Sequence, residues 1–137
     1  MKKQILIYFF ITVILIVSCQ SKSVTGETVT VAGGSYHNVT PNDLNTMLNN
    51  KDFVFVNVHI PFARNIDGTD VSIPYDQIES NVSQLPADKN AKIVLYCRSG
   101  HMSQIAAEKL VSLGYTNIWN LKGGMLEWER TGYDLEK

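Results

Sequence analysis

The 137-residue chain has two cysteines, Cys19 and Cys97, and the second stands where a thiol can react. In "LYCRSGHMSQ", residues 95–104, an apolar run ends at Tyr96, the chain turns through Cys97 to Met102, and a helical pattern begins near Ser103. Gly100 permits a tight backbone conformation, so several amide N–H groups can converge on one point, aided by the positive end of the helix. A nest of this kind stabilises an anion. If that anion is the Cys97 thiolate, the result is a nucleophile competent at neutral pH. The plainer alternative is a small buried hydrophobe at a strand end. Neighbours Arg98, Ser99 and Gly100, rather than apolar residues, favour the nucleophile.

Other chemistry-bearing residues read more plainly. His101 lies four residues after Cys97 and could face the thiolate as imidazolium, although a loop histidine is more often simply solvated. His59, at a strand end, is expected to be structural and to hydrogen-bond the Asp67 to Asp70 loop. His37 is expected at the surface. No metal site is expected, since there is no Cys-x-x-Cys or His pair at ligand spacing, and Cys97 with His101 supplies two ligands where a structural zinc needs four. Asp67 and Asp70 flank Gly68 in "IDGTD", and without further loop ligands they read as a turn rather than a calcium site. Trp119, Trp128, Phe53 and Phe55 read as core or rim aromatics.

The elements that must position Cys97 follow from periodicity. A formal charge of −1, 45% apolar and 18% charged residues describe one ordinary globular domain, with no electrostatic reason to expect a nucleic-acid partner. Residues 20–36 read as a polar tether that becomes a first short strand near residues 29–32. Thr40 is placed as a helix N-cap and Pro41 at the first helical position, with Leu44, Met47 and Leu48 on one face of a helix to about Asn49. Residues 53–60 and 92–96 are nearly continuous in β-branched and aromatic residues, as strands buried on both faces should be. Between them lie a short apolar step at residues 71–73 and a turn of helix around residues 75–80. Ile105, Ala106, Leu110 and Leu113 recur at helical spacing, and Gly114 is placed to end that helix. "TNIWNL" reads as a further strand, and "GGMLEWER" as a Gly-Gly turn and a last short helix before Gly132. Strands alternating with helices predict an α/β domain with a central parallel sheet flanked by helices on both faces. Binding sites in such sheets lie at the carboxyl ends of the strands, where Cys97 stands.

The N-terminus reads differently. Lys2 and Lys3 precede a 13-residue run at positions 5–17 that is broken only by Thr12 and ends at "SCQ". This is a signal-peptide pattern, shorter than the roughly 20 residues a membrane-spanning helix needs. The "IVSC" ending resembles the lipobox of bacterial lipoproteins, in which cleavage before the cysteine leaves that thiol carrying a diacylglyceryl group. The expected organisation is therefore a signal peptide at 1–18, a lipid-anchored tether with the first short strand at 19–35, and the domain at 36–137. Cys19 would be consumed as the membrane anchor outside the cytoplasmic membrane. Gln20 is not the aspartate that often signals inner-membrane retention. Cys97 is then a lone thiol facing an oxidising exterior.

From about Tyr36 to Tyr133 the chain resembles a single rhodanese domain. The resemblance is carried by "CRSGHMS", the helix after it, and "NIWNLKGGMLEW". It implies a sulfurtransferase in which Cys97 attacks the outer sulfur of a donor such as thiosulfate, becomes a persulfide, and passes that sulfur to cyanide or a thiol. The amides of Arg98, Ser99, Gly100, His101, Met102 and Ser103 would cradle thiolate and persulfide, Arg98 would attract an anionic donor, and no metal or organic cofactor is implied. Two departures stand out. Where the family often reads Asp-Val-Arg, this chain has Asn57, Val58 and His59, so an ion pair that commonly braces the site is absent or altered. Where the loop often has a basic residue or threonine, it has Met102, which predicts a preference for a larger or less charged persulfide carrier over thiosulfate.

Two other functions compete. Cysteine phosphatases also place a thiolate in a nest at a helix N-terminus, but they need an arginine six positions after the cysteine to grip phosphate, and that position here is Ser103. A non-catalytic module that docks a partner or senses persulfides is the alternative from a different class, because fold does not fix function. The sequence names neither a partner protein nor the physiological donor and acceptor.

Overall fold

The computed structural model describes residues 23–137; the expected leader and Cys19 lie outside them. Six strands form one sheet in the order β1-β2-β6-β5-β3-β4. These are β1 Glu27–Val31, β2 Gly34–Val39, β3 Val54–Asn57, β4 Val71–Ser72, β5 Ile93–Tyr96 and β6 Ile118–Leu121, with helices α1 Pro41–Leu48, α2 His101–Ser112 and α3 Gly124–Arg130. Two 3-10 turns, Tyr75–Gln77 and Glu79–Gln84, follow β4. Every pairing is parallel except β1 with β2. The α/β architecture with helices on both faces is the one expected, with an antiparallel hairpin at one edge making the sheet mixed.

Alternation along the central strands divides the core. Ile93 and Leu95 of β5 face α2, packing with Ala106, Ala107, Leu110 and Val111. Val94 and Tyr96 face the other way, with Leu44 of α1 and Met125 and Trp128 of α3. Each fully buried side chain of this size contributes about 1.5–3 kcal/mol, so β5, buried along its whole length, anchors the strand end that carries Cys97.

Helix α1 starts as its sequence predicts. Thr40 Oγ1 accepts from the Asp43 amide at 3.2 Å while Asp43 accepts from the Thr40 amide, a reciprocal capping box with Pro41 at the first helical position. Helix α2 begins two residues earlier than its apolar spacing suggests, at His101, because left-handed Gly100 (φ +99°) already bends the chain into it. Gly114, also left-handed, follows its last turn.

Three expectations are corrected. The segment read as a tether with one short strand is a complete hairpin, β1 and β2, and β2 pairs with β6 through Val39↔Leu121, so the sheet begins before residue 36. The strand expected over residues 53–60 ends at Asn57, where the chain leaves the sheet toward a cis Ile60–Pro61 bond. His37 is half-buried rather than a surface residue: its ring lies 4.6 Å from that of Trp119 and its Nδ1 is 3.1 Å from Thr28 Oγ1.

Candidate active site

Cys97 directly follows β5 and is 1% exposed. The turn through Gly100 brings the Gly100 amide back onto its sulfur, N···Sγ 3.0 Å. Ser103 Oγ lies 3.4 Å from the same sulfur and 3.2 Å from the Gly100 carbonyl oxygen. Ser103 is fully buried and has one proton to give, so that proton turns between the two acceptors and strengthens on the sulfur when the sulfur carries charge. The amides of His101, Met102 and Ser103 open α2 and have no intrahelical acceptor. The loop therefore sets one N–H and one hydroxyl donor on the thiol at the open end of α2, which suits a sulfur that becomes negative. Arg98, Ser99 and His101 are exposed, and Met102 is half-buried against the core cluster that contains Cys97. His101 provides neither of the two donors on the sulfur.

The loop is held from behind by α3. The amides of Met125 and Leu126 donate to the carbonyls of Cys97 (2.9 Å) and Arg98 (3.0 Å), fixing two peptide planes of the loop. This contact requires Gly124: a Cβ there would lie 2.3 Å from the Cys97 carbonyl oxygen and 2.7 Å from the Arg98 carbonyl, in a backbone with φ +59°. Gly100 also packs closely on the start of α3, a Cβ there coming 3.1 Å from the Gly123 nitrogen.

From in front, the strand end at Asn57 braces the loop that follows β3. Asn57 is 1% exposed. Its amide nitrogen donates to the Arg64 carbonyl and to Asn65 Oδ1, both at 3.0 Å, and its oxygen accepts from the His59 amide at 3.0 Å. The neutral amide thus ties the strand end to the loop that follows by three hydrogen bonds. Beside it, Thr69 gives its proton to the Ile66 carbonyl (2.6 Å), so the Tyr96 phenol donates to Thr69 (2.7 Å) while accepting from the Ile66 amide (3.0 Å). Burial pushes the Tyr96 phenol up from its ordinary value, which keeps that donor in place.

His59 does not bond the Asp67 to Asp70 loop as expected. Its Nδ1 is buried without a partner, and burial, then the nearby Arg98 guanidinium, lower its pKa. Asp70 instead accepts from the Phe55 amide (2.8 Å) and pairs with Lys51, while the Thr69 amide closes a turn on the Ile66 carbonyl. Trp119 and Trp128 are core residues, as are Phe53 and Phe55. Among the described residues no group of three or more His, Cys, Asp or Glu side chains is arranged for a metal.

Sequence reasoning placed the cysteine loop but missed its supports. Nothing local pairs Asn57 with Arg64 and Asn65, or Tyr96 with Thr69. The Gly123-Gly124 dipeptide was a visible signal, read as a turn when its work is close approach to the Cys97 and Arg98 carbonyls.

The chain resembles known proteins. The Rhodanese-like domain profile matches residues 40–131. A sulfurtransferase of Allochromatium vinosum is 31% identical over 87 residues, 62% of this chain and 79% of that protein. The tRNA uridine(34) hydroxylase of Erwinia tasmaniensis is 31% identical over 94 residues, 64% of this chain and 27% of that protein, so the chain spans only about a quarter of that longer relative. Among solved structures, a rhodanese-related protein from Thermoplasma volcanium superposes with a TM-score of 0.62 at 26% identity, over 72% of this chain and 96% of that one. A profile match across most of the chain, a shared fold and a thiol cradled at the end of a central strand agree: the chain belongs to the rhodanese family.

Proposed function

We propose that this chain is a sulfurtransferase of the cell envelope that carries sulfane sulfur on Cys97. The Cys97 thiolate attacks the outer sulfur of thiosulfate, the sulfur–sulfur bond breaks, and sulfite leaves with the bonding pair. A persulfide donor reacts in the same way and leaves as a thiolate. Cyanide or an acceptor thiolate then attacks the outer sulfur of the Cys97 persulfide, releasing the Cys97 thiolate and completing the cycle. The observation that carries this reading is the paired donation of Gly100 N–H and Ser103 Oγ toward Sγ, because Sγ carries the negative charge before loading and regains it when the persulfide is discharged. Ser103 at the position where a phosphatase needs a guanidinium argues against phosphoryl transfer.

The setting follows from the leader: Cys19 carries the lipid, and the domain faces outward from the cytoplasmic membrane on the tether that follows. Radiolabelled palmitate incorporated by the wild type and not by Cys19→Ala tests the anchor. For the chemistry, thiocyanate formation from thiosulfate and cyanide is measured against transfer from glutathione persulfide. Turnover that disappears in Cys97→Ser supports the enzyme, and kcat/KM higher with glutathione persulfide supports the donor preference ascribed to Met102. Absence of turnover with both donors favours a docking module.

A further inference from the structure

A cleft of about 200 Å³ opens beside the catalytic loop, between it, α3 and the C-terminal segment, lined by Ala63, Arg64, Arg98, Leu126, Glu129 and Leu135. It lies against the loop that carries Cys97: Met125 and Leu126, whose amides are bound to the Cys97 and Arg98 carbonyls, both line it. Its floor is apolar, and Leu126 is 47% exposed there, one of three large apolar side chains so exposed among the described residues. Its rim is cationic in an unusual way. Arg64 is held not by a carboxylate but by two main-chain carbonyls, Nε to Glu136 at 2.8 Å and an Nη to Leu135 at 3.2 Å. The Glu136 amide in turn donates to the Asn65 carbonyl at 2.9 Å. Among the described residues neither Arg64 nor Arg98 forms a salt bridge. A guanidinium fixed by neutral acceptors keeps its full charge and its remaining donors. Glu129 is the one acid on the rim.

A rigid cation, a second cation on the reactive loop and an apolar floor between them suit a short aliphatic chain ending in a carboxylate. Resting on the sulfur-transfer reading, we propose that this cleft seats the non-reacting end of the acceptor: a carboxylate-bearing aliphatic thiol, its chain on Leu126 and Leu135 and its carboxylate on Arg64 and Arg98. The thiol end then lies toward Cys97. It loses its proton to solvent, and the resulting thiolate attacks the outer sulfur of the Cys97 persulfide. A new sulfur–sulfur bond forms on the acceptor and the Cys97 thiolate leaves.

The test compares discharge of sulfur-loaded Cys97 by 3-mercaptopropionate and by uncharged 3-mercapto-1-propanol at low salt. The expected wild-type preference for the carboxylate is about tenfold, the size of one charge-assisted contact. Arg64→Gln should bring that ratio to near one, and Glu129→Gln, which removes the opposing charge, should raise it about twofold, by the few tenths of a kcal/mol an exposed charge contributes. No preference in the wild type, or a ratio unmoved by either substitution, overturns the proposal. If Arg64→Gln does not fold, Glu129→Gln decides alone. If Cys97 takes up no sulfur, the sulfur-transfer reading fails by itself. Titration of the unloaded protein with butyrate then judges the cleft: amide shifts at Leu126 and Leu135 keep the anion seat, and their absence removes it.

Discussion

The two walls of the site are built by different means. Behind Cys97, α3 grips the loop through main-chain hydrogen bonds to the Cys97 and Arg98 carbonyls, and the tightest requirement on side chains is that Gly124 have none. In front, the segment after β3 is held by side chains: Asn57 to Arg64 and Asn65, Tyr96 to Thr69, Arg64 to the C-terminal carbonyls. A main-chain clamp tolerates any sequence that keeps its glycine, and it fails abruptly when the glycine is lost. A side-chain brace can be rebuilt from other residues.

Breaking the rear wall should therefore cost most. Gly124→Ala forces a methyl group onto two carbonyls in a left-handed backbone and should destabilise the fold by roughly 3 kcal/mol or more. Urea denaturation should show this, and sulfur loading of the remaining folded protein should fall at least as far. In the front wall, Asn57→Ala takes the side-chain partner from the Arg64 carbonyl and the His59 amide and leaves Asn65 Oδ1 only the Tyr96 hydroxyl, for a loss of about 2 kcal/mol. Its loading rate should fall less than that of Gly124→Ala; an equal or larger fall would erase the distinction between the walls.

A smaller effect is expected at the sulfur itself. Ser103→Ala removes one of two side-on donors while keeping the buried volume nearly filled, and should slow sulfur loading about tenfold, as one hydrogen bond to a charged group warrants. Stability should change little, and a loading rate equal to wild type would remove Ser103 from the nest. Smallest is the response of His59. Its lowered pKa means the unfolded chain binds the proton more readily, so the His59 contribution is present at neutral pH and is lost as pH falls through the ordinary histidine value toward the folded one. His59→Gln should flatten that acid-side loss in a pH series of denaturation midpoints. Arg98→Ala should raise the His59 pKa in an NMR titration only partly, since burial is the larger cause.

Much of this was legible along the chain. The Thr40–Pro41 start, the apolar runs of β3 and β5 and the Cys97 to Gly100 turn depend on neighbours in sequence, and there local chemistry agrees with the fold. Strand β2 escaped because "GSYHNV" has no apolar run. It becomes a strand by lying between β1 and β6, with Asn38 accepting from Asn120 at 2.9 Å. Strand β3 was read too long because Val58 and Ile60 continue its apolar pattern after its ladder has ended. The Asn57 brace, the isolated His59 nitrogen and the Arg64 clamp join residues through the folded chain, up to 72 positions apart, and no spacing rule reaches them. Gly124 lies between these cases: a glycine pair is visible, but the carbonyls it admits belong to another element.

The central claim is that Cys97, held by the nest of α2, accepts and gives up a sulfur atom. Its most direct test is the intact mass of the fragment from residue 22 onward before and after exposure to thiosulfate or glutathione persulfide. The account predicts a gain of about 32 Da, one sulfur on the nucleophile, absent in Cys97→Ser and removed by cyanide. A Cys97 that alkylates normally yet gains no mass with either donor would contradict it.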